Sequence, residues 1–141
     1  MKTLSDNLYD SIMKSLEQGD SLMENEKYSD ALIFYKKALL EVPQDKIEWE
    51  ISLHIYTALG DCCFNLEDYE TASYNYNLAL QCPEGNVSGY VWLGYGQSLY
   101  ESDSKDKAKD ALMSAYMLEG EEIFEDSDEK YFELIKPFIS K

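Results

Sequence analysis

Few side chains in this sequence could do covalent or metal chemistry. The only histidine, His54, has no serine or cysteine at a recognisable spacing, so no nucleophile–base couple can be assembled. Cys62, Cys63 and Cys82 contain no Cys-x-x-Cys pair and, with one histidine, do not make a zinc set. They are also too few and too irregular for a disulfide framework. Cys62 and Cys63 are neighbours on a predicted helix and project about 100° apart, a poor start for a bridge. Carboxylates are densest in Glu121-Glu122-Ile123-Phe124-Glu125-Asp126-Ser127-Asp128-Glu129. That run lacks the glycine and the evenly spaced ligands of a calcium loop. No glycine-rich phosphate loop is present. The expectation is a non-enzyme that uses no cofactor and no metal.

Binding chemistry is better represented. Twenty-eight acids face twelve bases, a formal charge of −16, and all twelve bases are lysine. A surface of this sign cannot neutralise phosphates, which argues against nucleic-acid binding. The absence of arginine removes the preferred bidentate phosphate ligand and with it a phosphoryl-transfer site. What such charge can do, beyond solubility, is steer a basic protein partner. Runs such as Ala31-Leu32-Ile33-Phe34-Tyr35 are too short to span a bilayer, and Met1-Lys2-Thr3-Leu4-Ser5-Asp6 has no apolar signal core. The expected setting is the cytoplasm, with no membrane contact.

The elements that position these groups follow from internal repetition. Gly19, Tyr28, Ala31, Tyr35, Ala38 and Pro43 form one set; Gly60, Tyr69, Ala72, Tyr76, Ala79 and Pro83 form a second. A third has Trp92, Gly96, Ala108 and Ala115, with Leu112 at the aromatic position and Gly120 in place of proline. In each, the glycine and first alanine are twelve apart and the two alanines seven apart. Small residues let paired helices approach, an aromatic fills the gap beside them, and proline stops the second helix.

Lys27-Tyr28-Ser29-Asp30-Ala31-Leu32-Ile33-Phe34-Tyr35-Lys36-Lys37-Ala38-Leu39 resembles the second helix of a tetratricopeptide repeat (TPR). Residues 59–72, centred on Gly60 and Tyr69, are similar to the helix–turn–helix centre of another. The resemblance implies an all-α, right-handed solenoid of three degenerate pairs in one domain, over about 6–43, 45–83 and 87–120, followed by an acidic segment and a capping helix in 121–141. Gly19 and Gly60 are 41 apart, seven more than a regular repeat. With Asp45 as cap and Glu48 completing a capping box, the surplus predicts about two extra turns on the third helix. At the C-terminus, Tyr131, Leu134, Ile135 and Phe138 make one helical stripe, capped by Asp126 or Ser127 and ended near Pro137.

By register, the resemblance assigns a concave groove to Leu16, Asp20, Met23 and Glu24, then His54, Thr57, Asp61, Phe64 and Asn65, then Tyr90, Leu93, Gln97, Tyr100 and Glu101. From these the expected partner-binding set is Asp20, Glu24, His54, Asp61, Asn65, Tyr90, Gln97, Tyr100 and Glu101. Members of the family that clamp a C-terminal carboxylate use basic and amide groups, where this chain has Asp20, Ala58, Tyr90 and Gly94. Acids there would repel such a ligand. The segment from Leu112 to Glu125, with Lys130-Tyr131-Phe132, resembles small bacterial TPR-like immunity proteins encoded beside polymorphic or contact-dependent toxins. That resemblance implies a toxin-domain partner with a basic surface; a secretion chaperone holding an extended segment is the alternative.

Overall fold

Glycine sets the helix spacing. In the computed structural model, which describes residues 4–139, a β-carbon added to Gly19 would lie 2.7 Å from the Tyr35 ring. One added to Gly60 would lie 2.8 Å from Tyr76, and one added to Gly96 would lie 2.6 Å from Leu112. Each glycine is sixteen residues ahead of the ring or branched chain that lies over it. The Tyr76 ring also presses on the next repeat, 2.6 Å from the place a Gly94 β-carbon would take. Six alanines at the predicted contacts, Ala31, Ala38, Ala72, Ala79, Ala108 and Ala115, are fully buried. The register read from the small residues therefore holds in all three repeats.

These contacts join α1 (Asp6–Glu24) to α2 (Tyr28–Glu41), α3 (Glu50–Asn65) to α4 (Tyr69–Gln81), and α5 (Gly89–Glu101) to α6 (Lys105–Glu119), with α7 (Glu129–Ile135) last. The three intra-pair turns are built alike. Glu26, Glu67 and Asp103 have positive φ, and each stands seven residues after its repeat's glycine. Their amides bond to Met23, Phe64 and Tyr100 carbonyls, while the next amides reach back to Leu22, Cys63 and Leu99. This paired closure satisfies the free carbonyls at each helix end. Among the described residues there is no strand, and no helix is long and apolar enough to cross a membrane. The fold is an all-α, TPR-like solenoid.

Two sequence expectations are corrected. Asp45 does not cap a helix: it is left-handed, with φ 61°, and starts a short 3-10 turn, Lys46–Glu48. Lys46 is drawn back, its ammonium donating to the Leu39 carbonyl at 2.8 Å and to that of Val42. Capping the end of α2 in this way competes with continuing into α3, which begins only after extended Trp49. Of the five residues by which the Gly19–Gly60 spacing exceeds Gly60–Gly96, three extend α3 ahead of its glycine relative to α5, less than one turn, and the other two fall at the end of α2 and in the connector. The second correction is at the C-terminus. Asp128, rather than Asp126 or Ser127, caps α7 by accepting from the Lys130 amide at 3.0 Å. Pro137 falls in a 3-10 turn that ends the helix, and Phe138 is 59% exposed instead of joining the packed stripe.

The core has two main parts. One runs through the first two repeats and includes Ile12, Leu16, Tyr35, Ile55, Cys62 and Tyr76. The other joins α5 and α6 to the C-terminal segment through Leu93, Leu112, Phe124, Tyr131 and Ile135. The acidic segment therefore anchors itself by burying Phe124 in a 3-10 turn, Glu121–Phe124.

Candidate functional site

Residues of α1, α3 and α5 line two adjoining depressions on the concave face, of about 650 and 420 Å³. Met23, Asp61 and Tyr90 border both. Asp20, Glu24, Glu50, Leu53, His54 and Thr57 belong to the larger one. Phe64, Asn65, Leu93 and Gln97 belong to the smaller, together with Asp126, Asp128 and Tyr131 from the C-terminal segment. Seven of the nine expected partner-binding residues are gathered here: Asp20, Glu24, His54, Asp61, Asn65, Tyr90 and Gln97. Leu16, assigned to the groove by register, is fully buried core instead.

The acid after each of the first two glycines has structural work that the sequence reading did not anticipate. The Tyr35 hydroxyl donates to Asp20 at 2.5 Å, and the Tyr76 hydroxyl donates to Asp61. Each carboxylate also reaches the next repeat. Asp20 lies 3.3 Å from His54 Nε2, and Asp61 accepts from the Tyr90 hydroxyl at 3.0 Å. His54 and Tyr90 hold the same place, six residues before Gly60 and Gly96 respectively. One carboxylate thus ties its own two helices together and links them to the following repeat. The sequence signal was present as an acid after the glycine and a tyrosine fifteen residues on.

Burial sets the electrostatics of this ladder. It pushes the Asp61 carboxyl up to about 6, against the opposing pull of the Tyr76 and Tyr90 hydroxyls and of His54. Burial and then the Asp61 charge raise the Tyr76 phenol; at Tyr90, an exposed residue, desolvation of the hydroxyl end against Asp61 and then the Asp61 charge do the same, so both stay protonated donors at neutral pH. Burial also pushes the Cys62 thiol up to about 12, where it packs 3.3 Å from the Met23 sulfur as an inert neighbour.

The last two expected residues, Tyr100 and Glu101, face α7. The Tyr131 hydroxyl donates to Glu101 at 2.6 Å, Lys130 Nζ lies 2.7 Å from the same carboxylate, and the Tyr100 and Tyr131 rings meet edge-on at 5.3 Å. Burial alone would raise the Glu101 carboxyl, but the Lys130 and Tyr131 hydrogen bonds outweigh it and hold it low. The third repeat's end of the groove is therefore covered by the chain itself. Nothing in the spacing of Lys130 from Glu101 announces a contact across 29 residues. No three His, Cys, Asp or Glu side chains among the described residues are placed to hold a metal.

No protein-family model matches the sequence, and no curated protein matches it. Solved structures do. The second TPR domain of Spaghetti (RPAP3), bound to the HSP90 peptide SRMEEVD, superposes with a TM-score of 0.69 at 13% identity, over 82% of this chain and 100% of that one. The Yersinia enterocolitica type III secretion translocator chaperone SycD gives 0.68 at 14% identity over 91% of each chain. At these identities the likeness is one of fold.

Proposed function

We propose that this chain is a protein-binding module and, more narrowly, an immunity protein that binds and neutralises a toxin domain with a basic surface in the cytoplasm. The observation that carries this reading is the concave face itself: Asp20, Glu24, Glu50 and Asp61 line the larger depression with the apolar Leu53, Ala58 and Val91, and Tyr90, 57% exposed, borders both depressions. Carboxylates on a chain of charge −16 speed encounter with a cationic surface, and an exposed aromatic supplies the buried anchor once contact is made. The SRMEEVD peptide of the Spaghetti complex carries three acids, and a ligand of that sign would be repelled here. Toxins that act on nucleic acids or nucleotides have basic sites, which an acidic inhibitor can reach and block.

A second reading, a secretion chaperone, is favoured by the likeness to SycD along 91% of both chains. The two differ in the state of the ligand. An immunity protein meets a folded domain, whereas a chaperone holds an extended segment. Co-expression with the product of the adjacent reading frame tests both. Immunity predicts restored growth, a single stoichiometric complex, and association that slows severalfold between about 50 and 500 mM salt. Growth unprotected, with the chain bound only to an unfolded stretch of an exported protein, would overturn it in favour of the chaperone. A salt-independent association rate would remove the steering argument.

A further inference from the structure

The repeat register shows what the open part of the groove is built to accept. Glu24, Asn65 and Glu101 stand five residues after Gly19, Gly60 and Gly96, and Met23, Phe64 and Tyr100 stand four after them. In the third repeat this pair is filled from within the chain. Lys130 ion-pairs with Glu101 at 2.7 Å, with its ammonium 5.5 Å from the Tyr100 ring centre and 5.4 Å from that of Tyr131. Tyr131 itself is buried against Leu93 and Leu112. In the first repeat the equivalent pair, Met23 and Glu24, faces a depression bounded across the groove by Thr57 and Ala58 of α3. There Ala58 is the small residue two before Gly60. No lysine lines this depression, whose rim carries Asp20, Glu24, Glu50 and Asp61. Its one basic group, His54, is already engaged by Asp20.

We infer that this first depression receives a lysine or arginine side chain followed by an aromatic residue on the partner protein, in the manner in which Glu101 and Tyr100 receive Lys130 and Tyr131. The inference rests on the protein-binding reading above and names the chemistry of its ligand. Glu24 takes the cation, Met23 replaces the Tyr100 ring as its polarizable wall, and the partner's ring lies on the Leu53, Ala58 and Val91 floor. In the middle repeat the acid at this register position is replaced by Asn65, and Leu93 and Gly94 stand opposite it; the carboxylates of the smaller depression, Asp61, Asp126 and Asp128, come from other positions, so the Glu24 and Glu101 arrangement is not repeated there. The chain's own helix thus supplies the template for contact at one end of the groove, and a partner supplies the same pair of groups at the other.

The test uses the full chain, ¹⁵N-labelled, titrated with the blocked peptide Ala-Ala-Lys-Tyr-Ala-Ala and with its Lys→Glu counterpart. The expected result is shifts at Glu24, Leu53, Thr57 and Ala58 with the lysine peptide alone, weakened about tenfold or more by Glu24→Lys and unchanged by Glu121→Lys, since a like charge replaces an attractive one only at the first. Equal shifts with the glutamate peptide, shifts that map instead to residues 121–129, no shifts at all, or indifference to Glu24→Lys would each overturn the inference. Folding of the variants is checked in the same spectra. A parallel titration with the adjacent gene's product separates the two levels. If the parent binds it and Glu24→Lys binds equally, the inference fails and the protein-binding reading stands. If the parent does not bind it while the lysine peptide does, the assigned partner fails and the depression's chemistry stands.

Discussion

The first two repeats and the third solve the same packing problem with different side chains. Gly19 and Gly60 lie under tyrosines whose hydroxyls end on Asp20 and Asp61, and those acids bridge to His54 and Tyr90. Gly96 lies under Leu112, which offers no hydroxyl, and the acid's place is taken by Gln97. The third repeat is instead secured from its open side, where α7 brings Lys130 and Tyr131 to Glu101. Internal junctions can use a half-buried carboxylate because a following repeat shields it and donates to it. The third repeat is followed by α7 instead of another helix pair, so apolar packing and this helix do that work.

Truncation of the equivalent core residues should break this comparison most severely. Tyr76→Ala removes a ring lodged between Gly60 and Gly94 and is expected to cost about 3–5 kcal/mol in urea unfolding. Leu112→Ala, fully buried but without a polar tip, should cost about 2–5 kcal/mol. Tyr76→Ala should be the worse of the two, because it also leaves Asp61 short of a donor. If Leu112→Ala cost more, the ladder would contribute little beyond apolar burial.

A milder pair isolates the hydroxyls. Tyr76→Phe keeps the ring and strips one donor from Asp61, an expected loss of about 1–3 kcal/mol. Tyr131→Phe strips one donor from Glu101, but Lys130 continues to neutralise that carboxylate, so about 1 kcal/mol or less is expected. Chemical denaturation of both variants at neutral pH measures the contrast. Equal losses would mean that the internal and terminal junctions are energetically alike.

How much of this is legible in the sequence depends on the range of each interaction. The glycine–alanine spacing was readable because close approach demands small residues whatever surrounds them, and it located every helix pair. Asp20 and Asp61 were placed on the correct face, but an acid after a glycine looks the same whether it waits for a partner or accepts from a tyrosine. The contact of Tyr100 and Glu101 with α7 is illegible for a related reason. Their partner arrives from α7, and register within a repeat says nothing about a contact beyond it. Asp45 and Glu48 imitate a capping box, yet Lys46 is used to cap the preceding helix, a competition that local pattern does not weigh.

Acidity offers a finer test of the same contrast. Asp61 has a folded pKa raised to about 6 from 3.8, so between those values the folded state holds a proton that the unfolded chain has released. Its contribution is fully present below about pH 4 and is lost as pH rises through about 6. Each tenfold change in that protonation ratio carries about 1.4 kcal/mol, and solvent on the groove side discounts it. Unfolding measured from pH 4 to 7 should therefore fall by about 1–2 kcal/mol more in the parent than in Asp61→Asn. Glu101 has the opposite sign: its pKa is lowered, and its contribution is present above the ordinary carboxylate pKa and lost on acidification. Glu101→Gln should remove a loss at low pH, and parallel profiles for the two variants would erase the distinction between the junctions.

The smallest effect comes from the feature the repeats share. Glu26, Glu67 and Asp103 close the three intra-pair turns at φ 58°, 65° and 65°, a left-handed conformation that costs an ordinary L-residue about 1 kcal/mol and glycine almost nothing. Glycine also loses more entropy on folding, about 0.5–1 kcal/mol, so Glu67→Gly should gain only a few tenths. Asp103→Gly should gain less, because aspartate visits this region more readily than glutamate. Loss of a negative charge from a chain at −16 would add a little to both. Glu67→Gln separates that part, since it removes the charge and leaves the backbone preference alone. Thermal melts in matched buffer, with Glu67→Gly above Glu67→Gln and Asp103→Gly nearer the parent, would show that the turns are equivalent and that the repeats differ only at their junctions. If Asp103→Gly instead gained the most, the third repeat would carry extra strain at its turn, and the contrast drawn from Gly96, Leu112 and Glu101 would extend to the backbone itself.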